Sequence, residues 1–492
     1  MEIRRLICAV FILFFTANAV FAIEEELLKY SVNIKDGSNL SIIDCVALAF
    51  QNSPKIKRQK YNLDIAKSHV GIARSQYFPV ISAGASFYHE NNSNSVYYDK
   101  YYRELPNVGV SVNELIWNFG KTTAFIKMEE FYKIGAEYEF MDSLCATLFD
   151  VKAKYYNVLK EQALVWLWKE NLDINDRFVK IAKKEPDITT AKIYQSQAQV
   201  KYIDAQNGYR NAVVDLNNSM YLDNQPKYTV KNTPTFNLKS DFYKNMSSDA
   251  FKSEVFDFPI DKAVDIAYQN SPDLQVLIST KKAMEQSLKY IKRTYFPDLR
   301  GDVGYGFLNT NVTDNNSFRV GVSLTSAVNL MELKHSLKGA EAGVHLADNE
   351  INLFKKDLYF EVKRAFNNVD RAQRQIPIAE KSAIEAKENL QYVEKQYVAN
   401  KLDYVALQNA RKEYIEETVK YVSSIYDYNL ALIQVEMAMH YHIFDIHHKS
   451  EHAVHYHSDD LIQHLVEALN CEGKEEQNHK DKKVKKNRRE KL

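Results

Sequence analysis

Two blocks of punctuation, each written twice at the same interval, restrict this chain more than any other feature. Gln-Asn-Ser-Pro opens at Gln51 and again at Gln269, and Tyr-Phe-Pro closes at Pro79 and again at Pro297, so 25 residues separate the marker prolines in both copies. At that offset of 218, Ile42 to Tyr88 aligns with Ile260 to Gly306 without a gap. Val108-Gly109-Val110-Ser111 then recurs as Val320-Gly321-Val322-Ser323 at an offset of 212, so a variable loop six residues shorter in the second half lies between. A chain with such an internal repeat is built from two copies of one structural unit.

The intervals read as helices. Ser53 and Ser271 are good N-caps, and Pro54 and Pro272 stand at the first helical position, where a missing N–H costs nothing. Pro79 and Pro297 force an end, because a residue before proline is pushed out of the α region. After each Tyr-Phe-Pro the period changes to two. Ile81, Ala83, Ala85 and Phe87 alternate with Ser82, Gly84 and Ser86; Leu299, Val303, Tyr305 and Phe307 alternate with Arg300, Asp302, Gly304 and Gly306. A second alternating stretch follows in each half, through Val108–Asn113 and Phe318–Thr325. Strands of about ten residues suit a tilted membrane crossing, and the same alternation suits a soluble antiparallel sheet with one wet face. The polar stretches 89–107 and 308–317 are expected to be the exposed hairpin loops.

From about Lys121 to Lys184, and from about Glu332 to Asn400, apolar residues fall on three- and four-residue steps, as in Leu148, Val151, Tyr155, Leu159 and in Leu358, Val362, Phe366, Val369. With only 14 Gly and 10 Pro in 492 residues, long unbroken helices are expected, Pro377 kinking the second. Further helices are expected from Ile188 to about Tyr221 and from Asp403 to about Met439. The predicted organisation is a signal peptide (1–22), a first repeat (23–222), an irregular linker (223–259), a second repeat (260–440) and a His-rich, charged tail (441–492).

Arg4-Arg5, the apolar run Leu6–Phe15 and Val20-Phe21-Ala22 form a secretory leader. No other apolar run is long enough to span a membrane as a helix, so a secreted chain of this kind enters lipid only as a closed β-barrel. Four strands cannot close one, since the smallest spanning barrels use about eight. The strands must then be pooled between copies; three copies give twelve, and the small Gly, Ser and Ala of one face suggest a lumen.

With order, spacing and duplication combined, and with Trp117-Asn118-Phe119-Gly120-Lys121 turning strand into long helix, the chain resembles the TolC family of outer-membrane efflux and type I secretion proteins over roughly residues 40 to 440. The resemblance implies a mainly α protein with membrane β: a homotrimeric channel-tunnel, with a 12-stranded β-barrel in outer-membrane lipid over a 12-helix periplasmic α-barrel. It also implies a periplasmic adaptor and an inner-membrane pump of RND, ABC or MFS type as partners. Pro54, Pro79, Gly120, Pro272 and Pro297 are the helix–strand junction residues of this reading. Family members carry an acidic pair at the periplasmic entrance; here Ala406 and Asn409 hold those places, and Asp187 and Asp403 are the nearest carboxylates. Asp403 is either part of an entrance ring or a helix cap.

Equal numbers of acidic and basic residues, 64 each, give no case for nucleic acid. Cys45, Cys145 and Cys471 are too scattered for a disulfide framework or a zinc pattern. Nine of 13 histidines lie beyond residue 439, open to metal binding or to a plain polar tail. No phosphate loop, dinucleotide fingerprint or nucleophile elbow is present, so neither an enzyme nor a cofactor is expected. The alternative reading is a secreted periplasmic helical-hairpin structural or adaptor protein.

Overall fold

The computed structural model describes residues 37–91, 102–181, 185–222, 228–230, 258–309 and 314–440. The expected leader, most of the linker and the tail beyond His440 lie outside these residues. The elements run β1 (Asn39–Leu40), α1 (Ile42–Asn52), α2 (Pro54–Ser75), β2 (Val80–Asn91), β3 (Tyr102–Trp117), α3 (Lys121–Ile181), α4 (Glu185–Ser219) and β4 (Thr229–Val230). The second half follows as α5 (Ile260–Asn270), α6 (Pro272–Lys292), β5 (Asp298–Asn309), β6 (Asp314–Thr325), α7 (Leu330–Val398) and α8 (Tyr404–Met439).

Each Gln-Asn-Ser-Pro both ends one helix and starts the next. Ser53 N–H donates to Ala49 O at 2.9 Å, closing α1, while Ser53 Oγ accepts from Ile56 N at 3.3 Å, opening α2. Ser271 N–H closes α5 on Ala267 O in the same way. Both serines are fully buried. The first helix of the pair has a reciprocal cap: Asp44 N donates to Ser41 Oγ and Ser41 N to Asp44 Oδ2, satisfying two otherwise orphaned donors. In α7, Asn329 Oδ1 accepts from Met331 N and Glu332 N, so the helix starts two residues before the expected Glu332. The same helix continues through Pro377 to Val398.

The described residues fall into two compact units, and both repeats contribute to each. One unit gathers the residues up to Ile56, those of Ser143–Ser271 and those from Asp357 onward. Its core holds the seam read from the sequence, Leu148, Val151, Tyr155 and Leu159, closed by Cys45, Leu216, Met220, Val422 and Tyr426. The short parallel pair β1–β4 lies beside it, and Tyr155 Oη donates to Leu40 O at 3.4 Å. Burial, aided by the Asp44 charge, pushes the Cys45 thiol up to about 12, so this cysteine packs as a small apolar group. A second cluster in this unit joins Leu390, Val393, Tyr404, Leu407, Tyr414 and Ile415 of the α7–α8 hairpin to Ala191 of α4.

The other unit takes Lys57–Asp142 and Pro272–Lys356. It contains a four-stranded antiparallel sheet in the order β2-β3-β5-β6. The hairpins reach further than expected: pairing continues to Asn91↔Tyr102 and Asn309↔Asp314, so strands occupy residues assigned to loops. Backbone pairing persists after apolar alternation ends, because a ladder needs partners while only a lipid-facing stretch needs apolar side chains. Pro106 is tolerated inside β3 because β5 pairs only from Asn107 onward, leaving an open edge beside the proline.

Candidate channel wall and entrance

The strand register assembles two chemically opposite faces. Across the four strands, Ile81, Val112, Val303 and Val320 stand in one row, and Ala83, Val110, Tyr305 and Phe318 in the next. On the other face the rows are Ser82, Ser111, Gly304, Arg319 and Gly84, Gly109, Gly306, Ser317. Glycine is required where the strands crowd: a Cβ on Gly306 would meet Val108 O at 3.1 Å and the Gly109 Cα at 3.3 Å. Among the described residues nothing covers the apolar face; Phe318, Val320, Val322 and Leu324 are each about two-thirds exposed. An uncovered apolar band of this kind belongs against lipid, and the polar rows against water.

Both Tyr-Phe-Pro blocks converge on one strand-to-helix turn. Phe119 and Gly120 take left-handed backbone (φ 56° and 79°), turning β3 into α3. Asn118 caps that helix through Thr122, whose N–H donates to its Oδ1 at 3.4 Å. From the first block, Gln76 Oε1 accepts from Thr122 Oγ1, and Tyr77 Oη lies 2.8 Å from Thr123 Oγ1. From the second block, Phe296 stacks on Phe119 with ring centroids 4.9 Å apart, and Lys121 Nζ donates to Phe296 O and meets Asp298 Oδ1 at 2.5 Å. Arg293 Nη1 donates to Gly120 O at 2.9 Å. Pro54 and Pro272 open α2 and α6, while Pro79 and Pro297 immediately precede β2 and β5. The two Tyr-Phe-Pro blocks therefore meet through the turn at Gly120 rather than through their prolines, while Pro54 and Pro272 stand at the far ends of α2 and α6.

The entrance candidates lie at the ends of the helix hairpins. Asp403 is the N-cap of α8, its Oδ1 accepting from Ala406 N at 2.8 Å. Ala406 is half-buried and Asn409 exposed. The first α8 turn is held by Tyr404, whose Oη accepts a short bond from Gln408 Nε2 and whose ring meets Tyr397 edge-on. Asp187 sits inside the first turn of α4, not in the preceding loop, because the helix starts at Glu185 instead of Ile188. Burial raises the Tyr404 phenol against the Arg411 charge and the Gln408 bond, which lower it, with smaller upward contributions from Tyr397 and Asp187.

Arg411, which the sequence reading passed over, is the buried charge of this region. It is 3% exposed, lies 4.4 Å from the Phe178 ring centroid on α3, and donates through Nη1 to Asn175 Oδ1 at 3.3 Å. Its Nη2 has no hydrogen-bond partner among the described residues. Burial lowers its pKa to about 10, with Tyr404 and Glu394 working against the shift and Arg177 with it. The alternation of charges along α8 gives no sign that this one points inward; only its place beside buried Leu407, Ala410 and Tyr414 hints at it. Among the described residues no group of His, Cys, Asp and Glu could hold a metal ion.

A duplicated unit of long helical hairpins and amphipathic strands with an uncovered apolar face defines a membrane-inserted helix-and-sheet conduit. The chain belongs to the outer membrane efflux protein family, whose sequence profile matches residues 46–220 and 263–439. It is similar in fold to the outer-membrane channel OprN (14% identity, TM-score 0.69, 81% of this chain and 89% of that one). It is also similar to the Campylobacter jejuni CmeC outer membrane channel (16%, 0.69, 83% and 90%) and to the open state of the Neisseria gonorrhoeae MtrE outer membrane channel (13%, 0.66, 84% and 93%). No curated protein sequence shows significant similarity to it. The protein is thus an outer-membrane efflux channel of TolC-like fold, with its helical part in the periplasm. Family and structural neighbours alike are channels, not enzymes.

Proposed function

We propose that three copies pool their sheets into a twelve-stranded barrel over a twelve-helix periplasmic tunnel, and that this assembly conducts substrates passively from a periplasmic adaptor and an inner-membrane RND, ABC or MFS pump to the exterior. The observation that carries the reading is the four-stranded sheet with two open edges, β2 and β6. An unpaired backbone group in lipid costs several kcal/mol, so an apolar-faced sheet of this kind needs neighbours. Exposed apolar residues at heptad spacing, Leu346, Leu353 and Phe360 on α7 and Ile193, Val200 and Val214 on α4, supply seams for neighbouring helices.

In the same reading Pro54, Pro79, Gly120, Pro272 and Pro297 set the heights at which helices deliver strands, and the entrance is lined by Asp187, Asp403, Ala406 and Asn409. The division into leader 1–22, repeats 23–222 and 260–440, linker 223–259 and tail 441–492 goes with it. Cross-linking of the detergent-extracted protein is expected to give a trimer, and a deletion strain to retain dyes or drugs or to lose secreted proteins. A monomer recovered without detergent from the periplasm sinks the proposal.

A further inference from the structure

The two hairpins differ in charge on their polar face. In the first, the half of that face nearest the helices carries Ser82, Gly84, Ser86, Gly109, Ser111 and Asn113, and its charged positions, Glu90 paired with Arg103, lie at the far end and balance each other. The second carries Arg300 and Asp302 on β5 and Arg319 on β6, all of one parity: Arg300 opposes Ser323, Asp302 opposes Gly321, and Gly304 opposes Arg319. Their heads are not equally placed. Arg319 Nε lies 3.2 Å from Asp302 Oδ2, yet the arginine side chain is 76% exposed and the aspartate 24%.

Gly321 makes this asymmetry possible. A Cβ there would meet Asp302 Oδ1 at 2.7 Å, so the missing side chain is what lets the carboxylate lie flat across β6. One step toward the helices, Arg300 is 49% exposed, and its Nη2 lies 3.5 Å from Asp298 Oδ2. Asp298 is only 26% exposed, and its other oxygen is held by Lys121 at 2.5 Å. Three cations face two carboxylates, one net positive charge per chain. The carboxylates lie against the wall while the guanidinium groups stand off it.

We infer that Arg300 and Arg319, with Asp302 laid down beneath them on Gly321, form an anion-favouring charge ring inside the barrel and are specificity-determining residues for conduction. This rests on the trimeric-barrel reading, in which the polar face lines the lumen and three such groups face one another. The ring acts on charged solutes through water, over about 10 Å at 0.1 M salt and about 3 Å at 1 M. It places an anion-favouring element in the barrel wall, apart from the entrance, where Asp187 and Asp403 are acidic and Ala406 and Asn409 carry no charge.

The test is the reversal potential of the purified trimer in planar bilayers under a potassium chloride gradient. The wild type should pass chloride in preference to potassium at 0.1 M salt, with the preference fading at 1 M. Arg300→Gln/Arg319→Gln should lower the chloride-to-potassium permeability ratio about twofold or more, as local counter-ion enrichment weakens. Asp302→Asn should move it the opposite way, and Arg319→Lys should keep it. A conducting trimer that prefers potassium, or one whose ratio the double glutamine variant leaves unchanged, overturns the ring and leaves the channel standing. A folded trimer with no conductance overturns the channel reading and the ring with it.

Discussion

Lys152 Nζ donates to Glu436 Oε2 at 2.8 Å, joining α3 of the first repeat to α8 of the second through a charge pair whose side chains are 9% and 3% exposed. The lysine also lies 5.9 Å from the Phe149 ring centroid. Removing one partner strands the other charge away from water, which costs far more than the pair contributes. Lys152→Met is expected to destabilise the fold by about 3–5 kcal/mol, and Lys152→Met/Glu436→Leu to recover most of that loss. Chemical denaturation of the wild type and the two variants in detergent measures it; equal losses in the single and double variants contradict it.

Arg411 and Phe178 stack 4.4 Å apart with the guanidinium out of water. A desolvated contact of this type is worth about 2 kcal/mol. A double-mutant cycle with Arg411→Met and Phe178→Leu should return a coupling of at least about 0.5 kcal/mol, the range found for residues in contact. Additive effects would show that the two only share a neighbourhood.

Gly120 holds a left-handed backbone, and a Cβ there would stand 2.6 Å from Arg293 Nη1. Gly120→Ala therefore adds about 1–2 kcal/mol of backbone strain and pushes aside the guanidinium that donates to Gly120 O. The thermal transition of the assembled protein should fall, whereas Gly71→Ala, on an exposed face of α2 with nothing within 4 Å, should leave it unchanged or raise it. Equal melting temperatures for both alanine variants would argue against a strained turn.

The Asp142 carboxyl is pushed up to about 6, first by burial and then by the charges of Asp273 and Glu139. A carboxyl raised in the folded state binds more protons there than in the unfolded chain. Stability is then highest below the unfolded value near 4 and declines as pH rises to about 6. Asp142→Asn should flatten this part of the stability profile and gain most above pH 6. Parallel profiles for wild type and variant between pH 4 and 7 would disprove the assignment.

How far the chain could be read from its letters follows the range of each interaction. Ser53 and Pro54, the alternation through Val108–Asn113 and the seam at Leu148, Val151, Tyr155 and Leu159 are local patterns, and their structural consequences are local. The strand order β2-β3-β5-β6, the meeting of Phe119 with Phe296, and the Lys152–Glu436 pair join residues far apart in the chain, and no periodicity encodes a partner. The strands outrun the limits that polarity suggests, because polarity marks where lipid ends, not where hydrogen bonding ends. Lys183, Lys184 and Pro186 look like an interruption in the sequence, yet proline is tolerated in a first helical turn, so Asp187 falls within α4. Asp403 caps α8 through Ala406 N, a local bond of the kind a helix-start pattern shows, whereas facing a shared entrance is not a local property.

The two open edges of the sheet, β2 and β6, also constrain timing. A lone chain that slid into the bilayer would leave two rows of backbone amides and carbonyls in hydrocarbon, and one that waited in water would keep Phe318, Val320 and Val322 wet. In the pooled-barrel proposal neither intermediate is stable, so insertion and association are expected to be coupled, the membrane accepting finished assemblies rather than incomplete ones.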